Sequence, residues 1–194
     1  MKKARVILAF VGLGLTACLA DVPASTSEDA VPWYLGASGG MLLPGTGNTL
    51  SRAAEVSVRA GWMFGGDMQA LELEALCAPN ASTHAGGESL SGVGIRHLYH
   101  LSAIDEFDKL FGCERFDPFV TYGAAVRFGA EHAFADRSHR TSLGPTAGIG
   151  ALYHLTNNLD LRFDAQSMLG VDSPCGLLFS VVIGLQWTFG GSVE

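Results

Sequence analysis

Residues 179–189 read Phe179-Ser180-Val181-Val182-Ile183-Gly184-Leu185-Gln186-Trp187-Thr188-Phe189. The odd positions carry large apolar side chains throughout, whereas the even positions carry Ser, Val, Gly, Gln and Thr. Side chains of a β-strand point alternately to its two faces, so this period of two predicts a strand with one apolar face and one small or polar face. The stretch has about the 9–11 residues that a tilted strand needs to cross a bilayer. It therefore predicts a membrane-crossing β-strand.

The N-terminus has the features of a secretion signal. A basic segment at residues 2–5 precedes an apolar run at 6–15, which is far shorter than the ~20 residues of a spanning helix. A conventional signal peptidase would cleave after Ala20, whereas a lipobox-like sequence at 15–18 would place a lipid on Cys18; both fit the sequence. We assign three parts to the chain: a signal peptide at 1–20, a periplasmic N-terminal segment at 21–32 and one domain at 33–194.

The composition narrows the class of protein. About 174 residues remain after the signal (194 minus 20), which suits one domain. The charged fraction is only 16%, yet no later apolar run is long enough for a spanning helix. A membrane-embedded chain of this kind must close into a barrel, because lipid offers no partner for free backbone groups. The net charge of −7 argues against nucleic acid as a partner, since phosphate binding needs a basic surface.

Seven further segments show the same alternation, with turn-rich gaps between them. They span residues 33–43, 54–64, 69–77, 90–101, 118–130, 146–155 and 159–167. With the C-terminal stretch they make eight, an even number at the small end of the bacterial barrel range. The sequence predicts an all-β fold, an eight-stranded antiparallel up-and-down transmembrane β-barrel. Apolar residues at helical spacing in the long connection at 102–115 predict a short helix in that periplasmic turn.

Alternation alone leaves open a soluble, lipocalin-like periplasmic binding barrel, whose apolar side chains would fill the interior. Two observations favour the membrane barrel. The polar faces are rich in Gly and Ser, which suits a narrow interior, and their mixed charges can neutralise one another there. These charges are Arg59, Glu72, Glu74, Arg96, Arg127, Arg162 and Asp164. In the up-and-down topology Trp33, Trp62 and Trp187 all fall at the periplasmic end, where an interfacial aromatic girdle needs them.

Three stretches carry a resemblance to a known family. They are residues 118–124 (PFVTYGA), residues 148–163 around the Asn157-Asn158 turn, and the C-terminal strand. From Trp33 onward the chain resembles the small outer-membrane β-barrel family that includes OmpA-type and opacity-type proteins. The resemblance implies the outer membrane of a Gram-negative-type bacterium and contact with outer-membrane lipid, and we expect a monomer.

The last strand also carries a spacing of the form G-x-x-Φ-x-Φ, formed by Gly184, Trp187 and Phe189. This spacing resembles the C-terminal assembly signal of outer-membrane barrels, which implies the outer-membrane barrel assembly machinery as a partner. These are architectural motifs, so they indicate fold and location and say little about activity.

An outer-membrane lipid-modifying enzyme of the lipid A deacylase type is the alternative function. In those enzymes a His and a Ser lie two residues apart on a late strand, after an Arg-aromatic pair. Here Arg162-Phe163 is followed by Ala165 and Ser167, so alanine stands where the general base belongs. A serine hydroxyl without an imidazole is a poor nucleophile. We therefore predict no catalytic residue and a non-enzymatic role in envelope structure or in surface interaction through the loops.

The remaining reactive side chains point to no metal or cofactor. The six histidines show no metal-ligand spacing, and the sequence lacks the phosphate-binding motif Gly-x-x-x-x-Gly-Lys. The predicted topology places Cys77 and Cys175 at the external ends of strands and Cys113 on the periplasmic side. A disulfide between Cys77 and Cys175 is therefore a hypothesis that rests on topology and an oxidising compartment.

Overall fold

A computed structural model describes residues 32–45, 52–64, 69–81, 89–103, 115–129, 141–170 and 176–190. Nearly all of these residues belong to eight strands. The strands are β1 (Trp33–Pro44), β2 (Ala53–Phe64), β3 (Gln69–Ala78), β4 (Leu90–His100), β5 (Phe116–Phe128), β6 (Thr141–His154), β7 (Leu159–Gly170) and β8 (Gly176–Phe189). Every strand overlaps a segment of alternating sequence, because each such segment can bury one face and expose the other.

The strands form a closed barrel in sequence order, each antiparallel to the next. β8 returns to β1 with a register that runs from Trp33↔Phe189 to Pro44↔Leu178. Closure pairs the first and last strands and leaves no open sheet edge. A sheet in lipid must close in this way, because lipid cannot hydrogen-bond the backbone groups of a free edge. The predicted eight-stranded antiparallel up-and-down barrel is confirmed.

We call the end that holds Trp33 and Phe189 the terminus end and the opposite end the loop end. At the terminus end, the β6–β7 turn is closed by Leu155 N and Thr156 N, which donate to Leu159 O at 3.0 and 3.1 Å. The connection after β4 begins with a 3-10 turn at Leu101–Ala103. The helix predicted over 102–115 falls mainly on residues 104–114, outside the described residues. Within the described ranges, no helix has the length and apolarity to cross a bilayer.

Alternation sorts the side chains into an outer and an inner face. On the outer face Ile149 is 65% exposed and Val181 52%, whereas on the inner face Glu72 is 0% exposed and Arg96 2%. A soluble lipocalin-like barrel requires the opposite arrangement, with apolar side chains inside and polar ones in water. The soluble alternative does not fit this structure, and the outer face has the apolar surface of a lipid-exposed barrel.

Aromatic side chains collect at the terminus end, as predicted for a girdle. The rings of Trp33 and Phe189 stack with centroids 4.3 Å apart, and Trp187 lies 6.2 Å from Phe189. Trp62 is opposite Trp33 in the β1–β2 register. Rings of this kind suit the boundary between hydrocarbon and water, so this end of the barrel has an interfacial belt.

Side chains fill the lumen in three layers. The loop-end layer is an apolar cluster of Leu42, Ala53, Ala78, Ala81, Leu90, Ala125, Met168 and Leu178. The terminus-end layer is a second buried cluster, formed by Tyr34, Ala70, Leu98, Phe119 and Leu152. Charged and amide side chains lie between these two layers. An eight-stranded barrel is just wide enough for side chains to fill it in this way.

Candidate functional site: the charged layer of the lumen

The charged layer consists of four arginines and four carboxylates whose formal charges cancel. Its members are Arg59, Arg96, Arg127, Arg162, Glu55, Glu72, Glu74 and Asp164. Each is at most 4% exposed, so none can rely on water for solvation. An isolated buried charge costs several kcal/mol, on the order of the whole stability of a domain, unless opposite charges and hydrogen bonds compensate it. The seven inner charges predicted from the sequence are all here, and Glu55 joins them.

Glu72, on β3, joins three other strands. Its Oε2 accepts a 2.6 Å hydrogen bond from Arg162 Nη1 on β7 and a 2.9 Å bond from the Tyr34 hydroxyl on β1. Its Oε1 accepts a hydrogen bond from Arg96 Nη2 on β4. Hydrogen bonds between charged groups are roughly twice as strong as neutral ones. This one carboxylate therefore ties together strands that are far apart in the sequence.

Asp164, on β7, is a second junction. Its Oδ2 lies 2.9 Å from Arg162 Nη2, 3.2 Å from Arg96 Nη1 and 3.3 Å from Arg59 Nη1. The three guanidinium groups come from β7, β4 and β2, and they would repel one another without this carboxylate between them. Asp164 and Glu72 together neutralise the centre of the layer.

Two glutamines extend the network without adding charge. Gln166 Oε1 accepts a 2.8 Å bond from Arg96, and its Nε2 donates to Glu74 at 3.3 Å. Gln186 Oε1 accepts a 3.0 Å bond from Arg162. Sequence reasoning did not select either glutamine. Both residues have even numbers, and even-numbered residues of β7 and β8 face the lumen. This parity could have identified them as members of the network.

Glycines provide the room for the largest inner side chains. Tyr34 is in register with Gly61, and Phe119 is in register with Gly150. A Cβ atom on either glycine would overlap the facing aromatic ring. The guanidinium carbon of Arg162 in turn lies 4.7 Å from the centroid of the Phe119 ring. Many of the glycines that enrich this sequence therefore serve cross-strand packing inside a narrow barrel.

Several inward polar atoms of β5 and β6 take no part in this network. Thr121 Oγ1, Thr146 Oγ1 and Arg127 Nη1 are buried, and none has a hydrogen-bond partner among the described residues. On the other side of the lumen, Ser180 donates a 2.8 Å bond to Glu55 Oε1. Among the described residues, unpaired buried atoms also occur on other strands of the layer, at Glu55 Oε2, Arg59 Nε and Asp164 Oδ1.

Two histidine–aspartate pairs lie at the terminus end. His100 Nδ1 is 2.5 Å from Asp117 Oδ2, and Asp117 Oδ1 accepts a 2.6 Å bond from the Ser102 hydroxyl. His154 Nδ1 is 2.7 Å from Asp160 Oδ1. These contacts join β4 to β5 and β6 to β7. Within the described residues, no group of three or more His, Cys, Asp or Glu side chains is placed to hold a metal ion.

The serine and alanine of the deacylase-like stretch lie on the outer face. The Ser167 hydroxyl donates a 3.2 Å bond to the carbonyl oxygen of Ala147 on the neighbouring strand. Ala165 lies two residues earlier on the same face of β7. In the part of the chain that the structure describes, no histidine hydrogen-bonds a serine hydroxyl. A serine held in this way lacks the base that nucleophilic catalysis needs.

The residues of the assembly signal are all in β8. Trp187 faces outward and is 48% exposed, and Phe189 stacks on Trp33. Gly184 faces the lumen, where a Cβ would overlap the backbone and side chain of Ser38. No contact in the structure tests recognition by the assembly machinery, which stays a prediction.

Cys77 lies on the outer face near the loop end, with its sulfur 3.9 Å from the Ser91 hydroxyl. Cys18 and Cys175 lie outside the described residues. The lipid on Cys18 and the Cys77–Cys175 disulfide therefore stay predictions.

The fold of this closed barrel has counterparts among solved structures. The N-terminal β-barrel domain of Pseudomonas aeruginosa OprF is 15% identical with a TM-score of 0.56, and the match covers 82% of this chain and 98% of that one. The fold is that of the small outer-membrane β-barrels.

Two other barrels match to a similar degree. Neisserial surface protein A is 13% identical with a TM-score of 0.58, covering 80% of this chain and 95% of that one. A major outer membrane protein from Thermus thermophilus is 12% identical with a TM-score of 0.53, covering 82% of this chain and all of that one. No protein-family model and no curated protein matches the sequence. At these identities the likeness concerns the fold, and together with the apolar outer face it makes this chain an integral barrel of the cell outer membrane.

Proposed function

We propose that this barrel is a non-enzymatic outer-membrane protein that contributes to envelope structure and presents its loops for surface interaction. The observation that carries the proposal is the enclosure of the charged layer, whose eight side chains are at most 4% exposed and largely bonded to one another. A catalytic side chain must reach its substrate. Charges enclosed in this way stabilise the barrel and are not available for chemistry on a substrate.

The outer face supports the same proposal. Ser167 bonds a backbone carbonyl, and its neighbour on that face of β7 is the methyl group of Ala165. We propose that the barrel is a monomer whose apolar face contacts outer-membrane lipid directly. The connections at the loop end would then carry any interaction with other molecules, since loops on a rigid scaffold are the usual place for binding.

Membrane fractionation and heat-modifiable gel migration test the integral barrel. We expect the folded protein in the outer-membrane fraction, with a mobility that changes on boiling. A soluble monomer that needs no detergent would contradict the proposal.

Lipid A mass spectra test the absence of enzymatic activity. Cells that express the wild type, the Ser167→Ala variant or neither protein should give the same spectrum. Loss of an acyl chain in the wild type but not in Ser167→Ala would overturn the non-enzymatic proposal. A deletion strain with increased sensitivity to detergent, restored equally by the wild type and Ser167→Ala, would support a structural role.

A further inference from the structure

Among the described residues, the terminus-end half of the outer face carries one polar pair, formed by Gln69 on β3 and His97 on β4. His97 Nε2 lies 3.0 Å from Gln69 Oε1. Both side chains are partly exposed. The other outward positions in this half of the described strands hold apolar or aromatic residues. A polar pair on a surface that lipid covers needs a polar partner, because hydrocarbon cannot satisfy its donors.

The pair lies close to the ends of its strands, where lipid headgroups meet the barrel. Gln69 is the first residue of β3, and His97 precedes the last residue of β4, His100, by three positions. At a rise of about 3.3 Å per residue, His97 is within about 10 Å of that end along a tilted strand. The polar region of one leaflet is itself about 5–8 Å thick. Headgroups therefore reach the level of this pair.

The hydrogen bond within the pair fixes the orientation of the Gln69 amide group. Since Gln69 Oε1 is an acceptor, His97 Nε2 donates the proton. Both protons on the amide nitrogen of Gln69 are then left without an acceptor among the described residues. His97 Nδ1 is buried and also lacks a partner there. The imidazole therefore orients the amide, and the amide is the group that presents donors to a ligand.

Aromatic rings flank the pair. The rings of Phe64 and Tyr122 have centroids 5.8 and 4.9 Å from that of the His97 ring. Phe64 is 42% exposed and Tyr122 58%. Tyr99 is directly opposite Gln69 in the β3–β4 register. Aromatic faces attract quaternary ammonium groups, and a tyrosine hydroxyl donates hydrogen bonds to phosphate oxygens. These residues offer phosphate donors beside a surface for an ammonium group.

The make-up of this group favours a ligand without net charge. Its five residues, Phe64, Gln69, His97, Tyr99 and Tyr122, include no Lys, Arg, Asp or Glu. Anionic lipids are typically bound by clusters of basic side chains, which this group lacks. A zwitterionic headgroup has its own ammonium group next to the phosphate, so amide and hydroxyl donors suffice for it.

We propose that Gln69, oriented by His97, binds the phosphate of a zwitterionic phospholipid whose ammonium group lies against the Tyr122 ring. The proposal rests on the proposed contact between the outer face and outer-membrane lipid, and it assigns one lipid of that contact to a specific position. Gln69 is the binding residue, and His97 is a positioning residue that acts through the amide of Gln69.

Titration of short-chain lipids into the folded barrel in maltoside micelles, which carry no phosphate, tests the proposal. The side-chain amide signals of Gln69 are followed by NMR. We expect them to shift saturably with diheptanoyl-phosphatidylcholine. The affinity for diheptanoyl-phosphatidylglycerol should be about fivefold weaker, because that lipid has no ammonium group to place on the aromatic ring. An equal response to both lipids, or an unsaturable shift like that of the Trp187 indole N–H, would overturn the proposal.

Two variants test the assigned roles, with the backbone amide signal of Tyr122 as the common readout. Gln69→Leu should weaken phosphatidylcholine binding by about tenfold or more, because it removes the donors to the phosphate. His97→Leu should weaken it less, since the amide remains but is no longer oriented. Ser167→Ala is the matched control and should leave the affinity unchanged, because this outward hydroxyl already bonds the Ala147 carbonyl. Unchanged affinity in Gln69→Leu would contradict the proposal.

Heat-modifiable gel migration of each protein separates failure of the site from failure of the barrel. A wild type whose migration does not change on boiling would contradict the integral barrel itself. A wild type that migrates as a folded barrel, but whose Gln69 signals do not respond to phosphatidylcholine, would contradict the lipid site alone.

Discussion

Arg162 on the seventh strand and Glu72 on the third form a 2.6 Å ion pair across the lumen, although 90 residues separate them in the sequence. Both side chains are almost completely buried. Such a pair stabilises the fold chiefly because each partner makes the burial of the other tolerable. The pair therefore connects the assembly of the barrel to the correct placement of two distant strands.

Glu72→Gln should lower the free energy of unfolding by about 3–5 kcal/mol, because it leaves Arg96 and Arg162 without their main counter-charge. Urea unfolding in micelles, followed by tryptophan fluorescence, measures the loss. Glu74→Gln is the matched control, since the Arg59 and Arg96 nitrogens lie 3.4 Å from Glu74 and the bonds lost are weaker. Equal losses in the two variants would contradict the role of Glu72 as the junction.

Gly61→Ala should destabilise the barrel by about 1–3 kcal/mol, because the added methyl group would overlap the Tyr34 ring. Gly39→Ala should be nearly neutral, since the nearest atom to its Cβ is Glu55 O at 3.7 Å. In the double variant Gly61→Ala/Tyr34→Ala, the total loss should be smaller than the sum of the single losses. Additive losses would show that the ring does not need the glycine.

Thr146→Val should raise the free energy of unfolding by about 1 kcal/mol, because it replaces a buried hydroxyl that has no partner among the described residues with a methyl group of similar size. Ser180→Ala is the contrast. Its hydroxyl donates a 2.8 Å bond to Glu55, so its removal should lower the free energy of unfolding by about 1 kcal/mol. If urea unfolding showed that both variants change the free energy of unfolding in the same direction, this difference in bonding would be contradicted.

Trp33 and Phe189 should show a coupling of about 0.5–1.5 kcal/mol in a double-mutant cycle of alanine variants, as expected of stacked aromatic rings. Phe189→Ala should also reduce the amount of folded barrel in the outer membrane of expressing cells. Phe163→Ala removes an outward-facing aromatic ring from the middle of β7. It should reduce the amount of folded barrel less than Phe189→Ala does. Equal reductions would argue against a special role of the C-terminal aromatic residue in assembly.

The strands followed from the sequence with small errors at their ends. The segment 146–155 was predicted to begin at Thr146, whereas β6 begins at Thr141. Gly144 and Pro145 weaken the strand signal there, but pairing with β5 extends the strand past them. This is a tertiary effect that outweighs local propensity.

The inner charges were also predictable as a set, because their positions share one face of each strand. Their bonding partners were not predictable. Asp164 contacts arginines of three different strands, and Tyr34 and Gln166 were not recognised as members of the network. Which inward side chains meet depends on strand tilt and register around a closed barrel, and alternation within one strand carries no information about either.

By itself, then, the sequence determined the period of two, the apolar outer face and the closure by β8, since these follow from single strands and from the demand that lipid makes on backbone groups. Only the tertiary structure decided the pairing of Glu72 with Arg162 and the placing of Tyr34 over Gly61. Each of these depends on distances between strands that are remote in the chain, and such distances exist only once the barrel has closed.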